Sequence, residues 1–301
     1  MDTILLTGAL LDQGLSYNDL ARLSRRGELE RIRRGAYATS QRTGLVREEA
    51  HRRLIQATVP QLIDGSVVSH GSAATLHRLP VWSSAITRVH VTRPGEGQRR
   101  PLLHLHCAAL TSDDIVLVEG IPATSVARTV LDLARTLRME YAVAAADRAL
   151  CDGLDPQRLT EGLYRMRRWP GVRTARRVVA FADPRSGSVG ESVSRVRIHL
   201  DGLPRPELQY EIRGPGGLLI ATTDFGWKER RTVGEFDGKI KYGRLLRPGQ
   251  RPEDVVFDEK LREDAIRGEG QEVARWIWDD CWKPGVIRNR VLRAFDRNGS
   301  L

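Results

Sequence analysis

Gly234-Glu235-Phe236-Asp237-Gly238-Lys239-Ile240-Lys241-Tyr242, with Asp224 eleven residues before Glu235, concentrates charge on what reads as one strand. Side chains alternate along a strand, so Glu235, Asp237 and Lys239 are expected on one face. Carboxylates held close together repel, and a divalent cation between them removes that cost. The lysines sharpen the reading. Of 48 basic residues only five are lysine, namely Lys228, Lys239, Lys241, Lys260 and Lys283, and two of them fall in this stretch. An ammonium is a compact charge with a movable pKa, a role arginine cannot take.

The rest of the chain is charged in a different way. Net charge is +10 over 301 residues, and the excess is spread along the chain. That balance suits a polyanion such as duplex DNA. Three separated cysteines, Cys107, Cys151 and Cys281, argue against a disulfide framework or a cysteine zinc site and for a reducing cytoplasm. No apolar run approaches the ~20 residues of a membrane helix, and Met1-Asp2-Thr3 lacks the basic start of a signal peptide.

Towards the N-terminus, residues 7–13 read as a short helix stopped by Gly14. Ser16 is a candidate N-cap for a second helix from Tyr17 to Arg26, with Leu20 and Leu23 inward and Asp19 in the first turn. Residues 29–37 then alternate apolar and basic side chains around Gly35. Helix, turn, helix and basic hairpin make a winged helix-turn-helix, with the second helix in the major groove and the wing along phosphates. Candidate DNA contacts are Tyr17, Asn18, Arg22, Arg25 and Arg26 on the helix and Arg31, Arg33 and Arg34 on the wing. Arg33 and Arg34 cannot share one face of a regular strand, so one of them is left for the turn.

The middle of the chain mixes short strands and helices. Residues 45–59 read as a helix with Val46, Ala50, Leu54 and Ala57 inward, ended by Pro60. Residues 67–77 read as a strand entering a helix, and 88–92 and 102–106 as alternating strands. Residues 127–134, 139–149 and 156–166 carry helical periodicity. His104 and His106 share a strand face, with His90 as a neighbour. Three imidazoles can hold zinc. With no cysteine or carboxylate at a ligand spacing, they read instead as polar residues on the outer face of a small sheet.

Residues 183–188 have linker composition, and the elements after them run α-β-β-β-α-β. A helix at 190–200 turns Val193, Val196 and Leu200 inward. Strands follow at 207–212, at 218–227 with Asp224, and at 235–241. A charged helix at 252–267 and a last strand at 272–278 complete the set, with Trp276 and Trp278 on one face of that strand. The whole chain is therefore expected to be mixed α/β in three domains, at 1–44, 45–183 and 187–301.

Three stretches resemble known families. Gly14-Leu15-Ser16, Arg25-Arg26-Gly27 and Arg33-Arg34-Gly35-Ala36-Tyr37 resemble the winged helix of AbiEi-type antitoxins from type IV toxin–antitoxin systems. Ser69-His70, His90-Val91-Thr92 and the run from Pro122 to Thr129 resemble the second, α+β domain of those proteins. The resemblance implies duplex DNA and a cognate toxin as partners. Glu191 with Ser192 and Arg195, Gly202-Leu203-Pro204, Asp224-Phe225, Glu235-Phe236-Asp237-Gly238, and Arg262, Asp264 and Arg267 resemble the restriction-endonuclease-like PD-(D/E)XK fold, closest to very-short-patch repair endonucleases. No proline precedes Asp224, and the acid–x–lysine element reads either as Asp237-Gly238-Lys239 or as Glu235-x-Asp237 with the lysine displaced.

That resemblance implies Mg²⁺- or Mn²⁺-dependent hydrolysis of DNA phosphodiesters. Asp224 and Glu235 would hold the metal, Asp237 is a third candidate ligand, and Glu191 acts from the helix. Lys239 or Lys241 would orient the attacking water or neutralise the transition state. The alternative is an antitoxin-like repressor that keeps the nuclease fold as a scaffold without catalysis.

Overall fold

The computed structural model describes residues 3–39, 44–238 and 252–299, the side chains of 252–258 excepted. Lys239 and Lys241 lie outside the described residues. The described residues form three sheets with helices between them. The chain divides into two compact units, residues 1–145 with 152–180, and residues 146–151 with 181–301. Among the described residues no helix is long and apolar enough to cross a membrane.

The first unit begins with a three-stranded sheet, β1 (Ile4–Leu6), β2 (Glu30–Arg33) and β3 (Ala36–Ala38), in the order β1-β3-β2. Helices α1 (Thr7–Asp12) and α2 (Tyr17–Arg25) precede the hairpin β2–β3. Leu10, Leu20 and Leu29 form the core beneath them, joined by Leu5, Leu15, Leu23 and Tyr37. Ser16 caps α2 as expected. Its hydroxyl accepts from the Asp19 amide at 3.2 Å while Asp19 accepts from the Ser16 amide at 2.9 Å. Small sheet, two helices and hairpin are consistent with a winged helix. The strand Ile4–Leu6 was not foreseen, since three residues are too few to show a period.

Two side-chain contacts cross residue 44, where the sequence suggested a boundary. Arg53 of α3 (Arg47–Thr58) pairs with Glu30 of β2 at 2.9 Å, and Arg33 donates to Thr58 at 2.6 Å. Of the expected inward set, Ala57 is buried and Leu54 partly so, while Val46 and Ala50 are exposed; His51, Arg53, Ile55 and Thr58 are buried instead. The helix thus turns its polar residues towards two neighbours at once, which an apolar period cannot reveal.

A six-stranded mixed sheet follows: β4 (Val67–Val68), β5 (Val89–Arg93), β6 (Gln98–Arg100), β7 (Leu103–Cys107), β8 (Ile115–Val118) and β9 (Ile121–Thr124), in the order β6-β7-β5-β4-β9-β8. Val68, Val89, Val91, Leu105 and Ala123 pack with Ile55 of α3 and with Ala73 and Leu76 of α4 (His70–Leu76). Helices α5 (Val126–Thr136), α6 (Met139–Cys151) and α7 (Pro156–Arg165) match the periodicities read from sequence, and α8 (Val172–Phe181) adds to them.

The second unit is built on a four-stranded sheet ordered β10 (Glu207–Arg213), β11 (Leu219–Trp227), β12 (Thr232–Asp237) and β13 (Glu272–Ile277). The first three pair antiparallel, and β12 pairs parallel with β13, matching Glu235 to Arg275. Helix α9 (Val189–Leu200) precedes the sheet, and α10 (Pro252–Gly268) lies between β12 and β13 in sequence. The α-β-β-β-α-β order is thus present. Ile266 of α10 packs with Ile212, Ala221, Val233 and Val273 of the sheet. Val193 and Val196 are fully buried, but Leu200, the last helical residue, is exposed. Trp276 and Trp278 do not share a strand face, because Trp278 opens a short helix, α11 (Trp278–Cys281). A last helix, α12 (Val286–Arg297), buries Ile287, Val291, Ala294 and Phe295.

Candidate functional site

Two surfaces carry the chemistry read from the sequence, one in each unit. The first is the outer face of α2. Leu20 is buried in the winged-helix core, which forces Tyr17, Asn18, Ala21, Arg22 and Arg25 outward at helical spacing, and Arg26 follows them at the C-cap. Tyr17 is 71% exposed, a large aromatic side chain turned to solvent. Arg22 leans on Asp19 at 2.7 Å, and Asp19 is held ionised below its usual range chiefly by the Ser16 hydroxyl. Arg25 bends back to the Ala21 carbonyl at 3.3 Å. Both arginines are tethered locally with most of their donors left to solvent.

The wing supplies less than the sequence suggested. Arg31 and Arg34 are exposed, and Arg34 sits with Gly35 in the two-residue turn between Arg33 and Ala36. A register shift between Arg31 and Arg33 rotates Arg33 inward. Its guanidinium donates to Thr58, and burial lowers its pKa. Arg33 therefore serves as a tie to α3, and the outward basic residues of the hairpin are Arg31 and Arg34.

The second surface is a cavity of about 680 Å³ beside the end of β12. Glu191 of α9, Asp224 of β11, and Glu235 and Asp237 of β12 all line it, together with Phe236, Glu259, Arg262, Arg275 and Trp278. The β11–β12 ladder stops at Phe225 opposite Gly234. Beyond that point the Phe236 amide has lost its ladder partner, and the Asp224 carboxylate accepts from it at 2.8 Å. Phe236 turns its ring against Gly190 of α9 and edge-on to Trp278. A β-carbon at position 190 would collide with that ring.

Glu191 and Glu235 have partners of their own. Glu191 accepts from the Gly187 amide at 2.8 Å and from Gln209 at 3.0 Å. Glu235 is 9% exposed and meets Arg262 at 2.6 Å and Arg275 at 3.1 Å. Arg275 bridges on to Glu259 and Glu263, and Arg262 also donates to the Thr222 carbonyl. Parallel register explains the contact, since Arg275 stands directly opposite Glu235. Two guanidiniums thus occupy the carboxylate on which a divalent cation was expected to rest. Among the described residues, no three carboxylates bring one oxygen each within 4.8 Å of one another. Glu235 as it stands does not fit a metal ligand; its charge is already balanced. Asp224, Asp237 and Glu191 remain around the same cavity. The sequence reading missed Arg275, although an alternating strand one register away from Glu235 was the available signal.

Comparison with known proteins bears on the first surface. Residues 4–40 match the family model described as the AbiEi antitoxin transcriptional regulator. The chain is also similar to the uncharacterized protein Rv2248 of Mycobacterium tuberculosis strain H37Rv, with 29% identity over 77% of this chain and 82% of that one. Its counterpart in strain CDC 1551 matches equally. Among solved structures, the RV2827C protein of Mycobacterium tuberculosis aligns over 72% of this chain and 86% of its own, at 14% identity and a TM-score of 0.39.

Proposed function

We propose that this protein is a duplex-DNA-binding regulator of the antitoxin type, reading DNA through α2 and bracing on phosphates with Arg31 and Arg34. The observation that carries the reading is the outward face Tyr17–Asn18–Arg22–Arg25–Arg26 on a capped helix, inside the segment that matches the regulator model. A net charge of +10 adds a sequence-independent attraction to it. In this reading the C-terminal sheet is a scaffold. Asp224 is held by the Phe236 amide, Glu191 by Gly187 and Gln209, and Glu235 by Arg262 and Arg275.

The test is DNA binding by the Arg25→Ala, Arg26→Ala double variant. Two lost phosphate contacts should lower the slope of log affinity against log salt by about 2. Affinity should fall roughly tenfold in the same titration. Unchanged affinity and slope would remove α2 as the main binder.

One observation favours a second reading, phosphodiester hydrolysis with Mg²⁺ or Mn²⁺. Glu191, Asp224, Glu235 and Asp237 come from three elements and face one cavity. The Arg262 and Arg275 contacts to Glu235 weigh against it, and a nicking assay separates the two readings.

A further inference from the structure

The histidines of the six-stranded sheet are not on an outer surface. Strands β5 and β7 run parallel with His90 opposite His104, and His106 follows two residues on. The three occupy the strand face opposite Val89, Val91 and Leu105. His70, at the start of α4, comes over that face, and Leu133, Thr136 and Leu137 close it from the α5 side. His70 has a φ of 50°, a left-handed conformation that side chains rarely adopt. Its ring stacks on His106 with centroids 3.7 Å apart. His90 lies 5.8 Å from His70 and 5.2 Å from His106 by the same measure.

We propose that His70, His90 and His106 form a binding site for a divalent transition metal of the zinc class. One ring nitrogen from each lies within 4.8 Å of the other two. His90 Nδ1 and His106 Nε2 are 2.9 Å apart, so a single proton is shared between two lone pairs that point at one another. A zinc ion bonded at about 2.0–2.1 Å to each nitrogen would take the place of that proton, and opening the pair to tetrahedral spacing needs only a small ring movement. Imidazole is a ligand for zinc, copper, iron or nickel rather than for magnesium or calcium.

The surroundings define what else the site would take. His104 is a fourth imidazole, 3.9 Å from His106 by ring centroids, with its Nε2 accepting from Arg99 at 3.2 Å. That contact commits His104 as a neighbour and leaves three ligands. Three histidines leave a tetrahedral metal one open position. Here it would face a cavity of about 410 Å³ lined by Thr87, Arg88, Arg99 and Thr136. Arg88, Arg99, Arg128 and Arg135 bring positive charge near the rings, and Asp132 acts on His106 with the opposite sign. Such a field favours hydroxide or a small anion at the open position.

Untagged full-length protein, stripped with chelator, would be titrated with Co²⁺ and then Zn²⁺. The expected result is one equivalent of Co²⁺ giving the visible absorption of a four-coordinate nitrogen site, displaced by Zn²⁺. His106→Gln and His70→Gln should each weaken binding by roughly 100-fold, while His104→Gln should bind nearly as the parent does. A Zn²⁺-dependent rise in Tm should appear in the parent and the His104→Gln protein and vanish in the other two. Wild-type protein that takes up no Co²⁺ or Zn²⁺ overturns the proposal without reference to any variant. Equal binding by all variants overturns it too, as does stabilisation by inorganic phosphate in place of metal.

Discussion

Arg128 shows how much a single buried side chain can hold. It is 3% exposed, meets Asp114 at 3.0 Å and Asp132 at 2.9 Å, and lies over the Trp169 ring at 4.9 Å. Ser125 caps the helix that carries it, and the Thr124 and Thr129 hydroxyls bond to each other beside it. Asp132 also receives Arg135 at 2.9 Å. Arg128→Met should cost about 3–5 kcal/mol, because Asp114 loses its closest cation inside the fold. Chemical denaturation monitored by circular dichroism checks this. The run from Pro122 to Thr129 was legible as a family-like motif, yet its role was not, since the partner Asp114 lies on the far side of a strand pair. The same limit applied to Glu235, whose acid character was plain while its arginines came from α10 and β13. It applied again to His70, which belongs to no strand and so joined none of the histidines read by alternation.

At the scale of elements, the order α-β-β-β-α-β could be read because its connections are marked, by glycine and proline at 202–204 and 214–217 and by the charged turn Lys228-Glu229-Arg230. The ends could not, because a strand that becomes a helix at Trp278 changes no residue type. Packing between elements also left no trace in the sequence pattern. Gly190 is a case in point: the first turn of α9 needs a residue without a β-carbon where the Phe236 ring crosses it. Gly190→Ala should therefore lower stability by about 1–3 kcal/mol through overpacking, and should disturb the carboxylate cavity that Phe236 helps to wall. Thermal denaturation and the near-UV signal of Trp278 would report the two effects separately. A variant as stable as the parent would mean that Phe236 moves aside at no cost.

For the whole molecule, the question is whether binding DNA is accompanied by cutting it. The proposed regulator should shift duplex DNA in a salt-dependent manner and leave supercoiled plasmid intact with Mg²⁺ or Mn²⁺. Asp224→Ala should then behave as the parent does in both assays, apart from any loss of stability where the Phe236 amide loses its acceptor. Nicking by the parent that disappears in Asp224→Ala would select the hydrolytic reading instead. A helix–turn–helix–hairpin order consistent with a winged helix was legible from the residue pattern, the family-like motif from a resemblance, and the excess of arginine from a count. The attachment of the hairpin was hidden: alternation set Arg33 and Arg34 on different faces, but Thr58, the partner of Arg33, lies 25 residues on. The bond of Arg33 to Thr58, with the Glu30–Arg53 pair beside it, ties the N-terminal hairpin to α3 of the middle region. A chimera cut at residue 44 would carry away α2 and the hairpin and leave behind Arg53 and Thr58, the partners that hold Glu30 and Arg33.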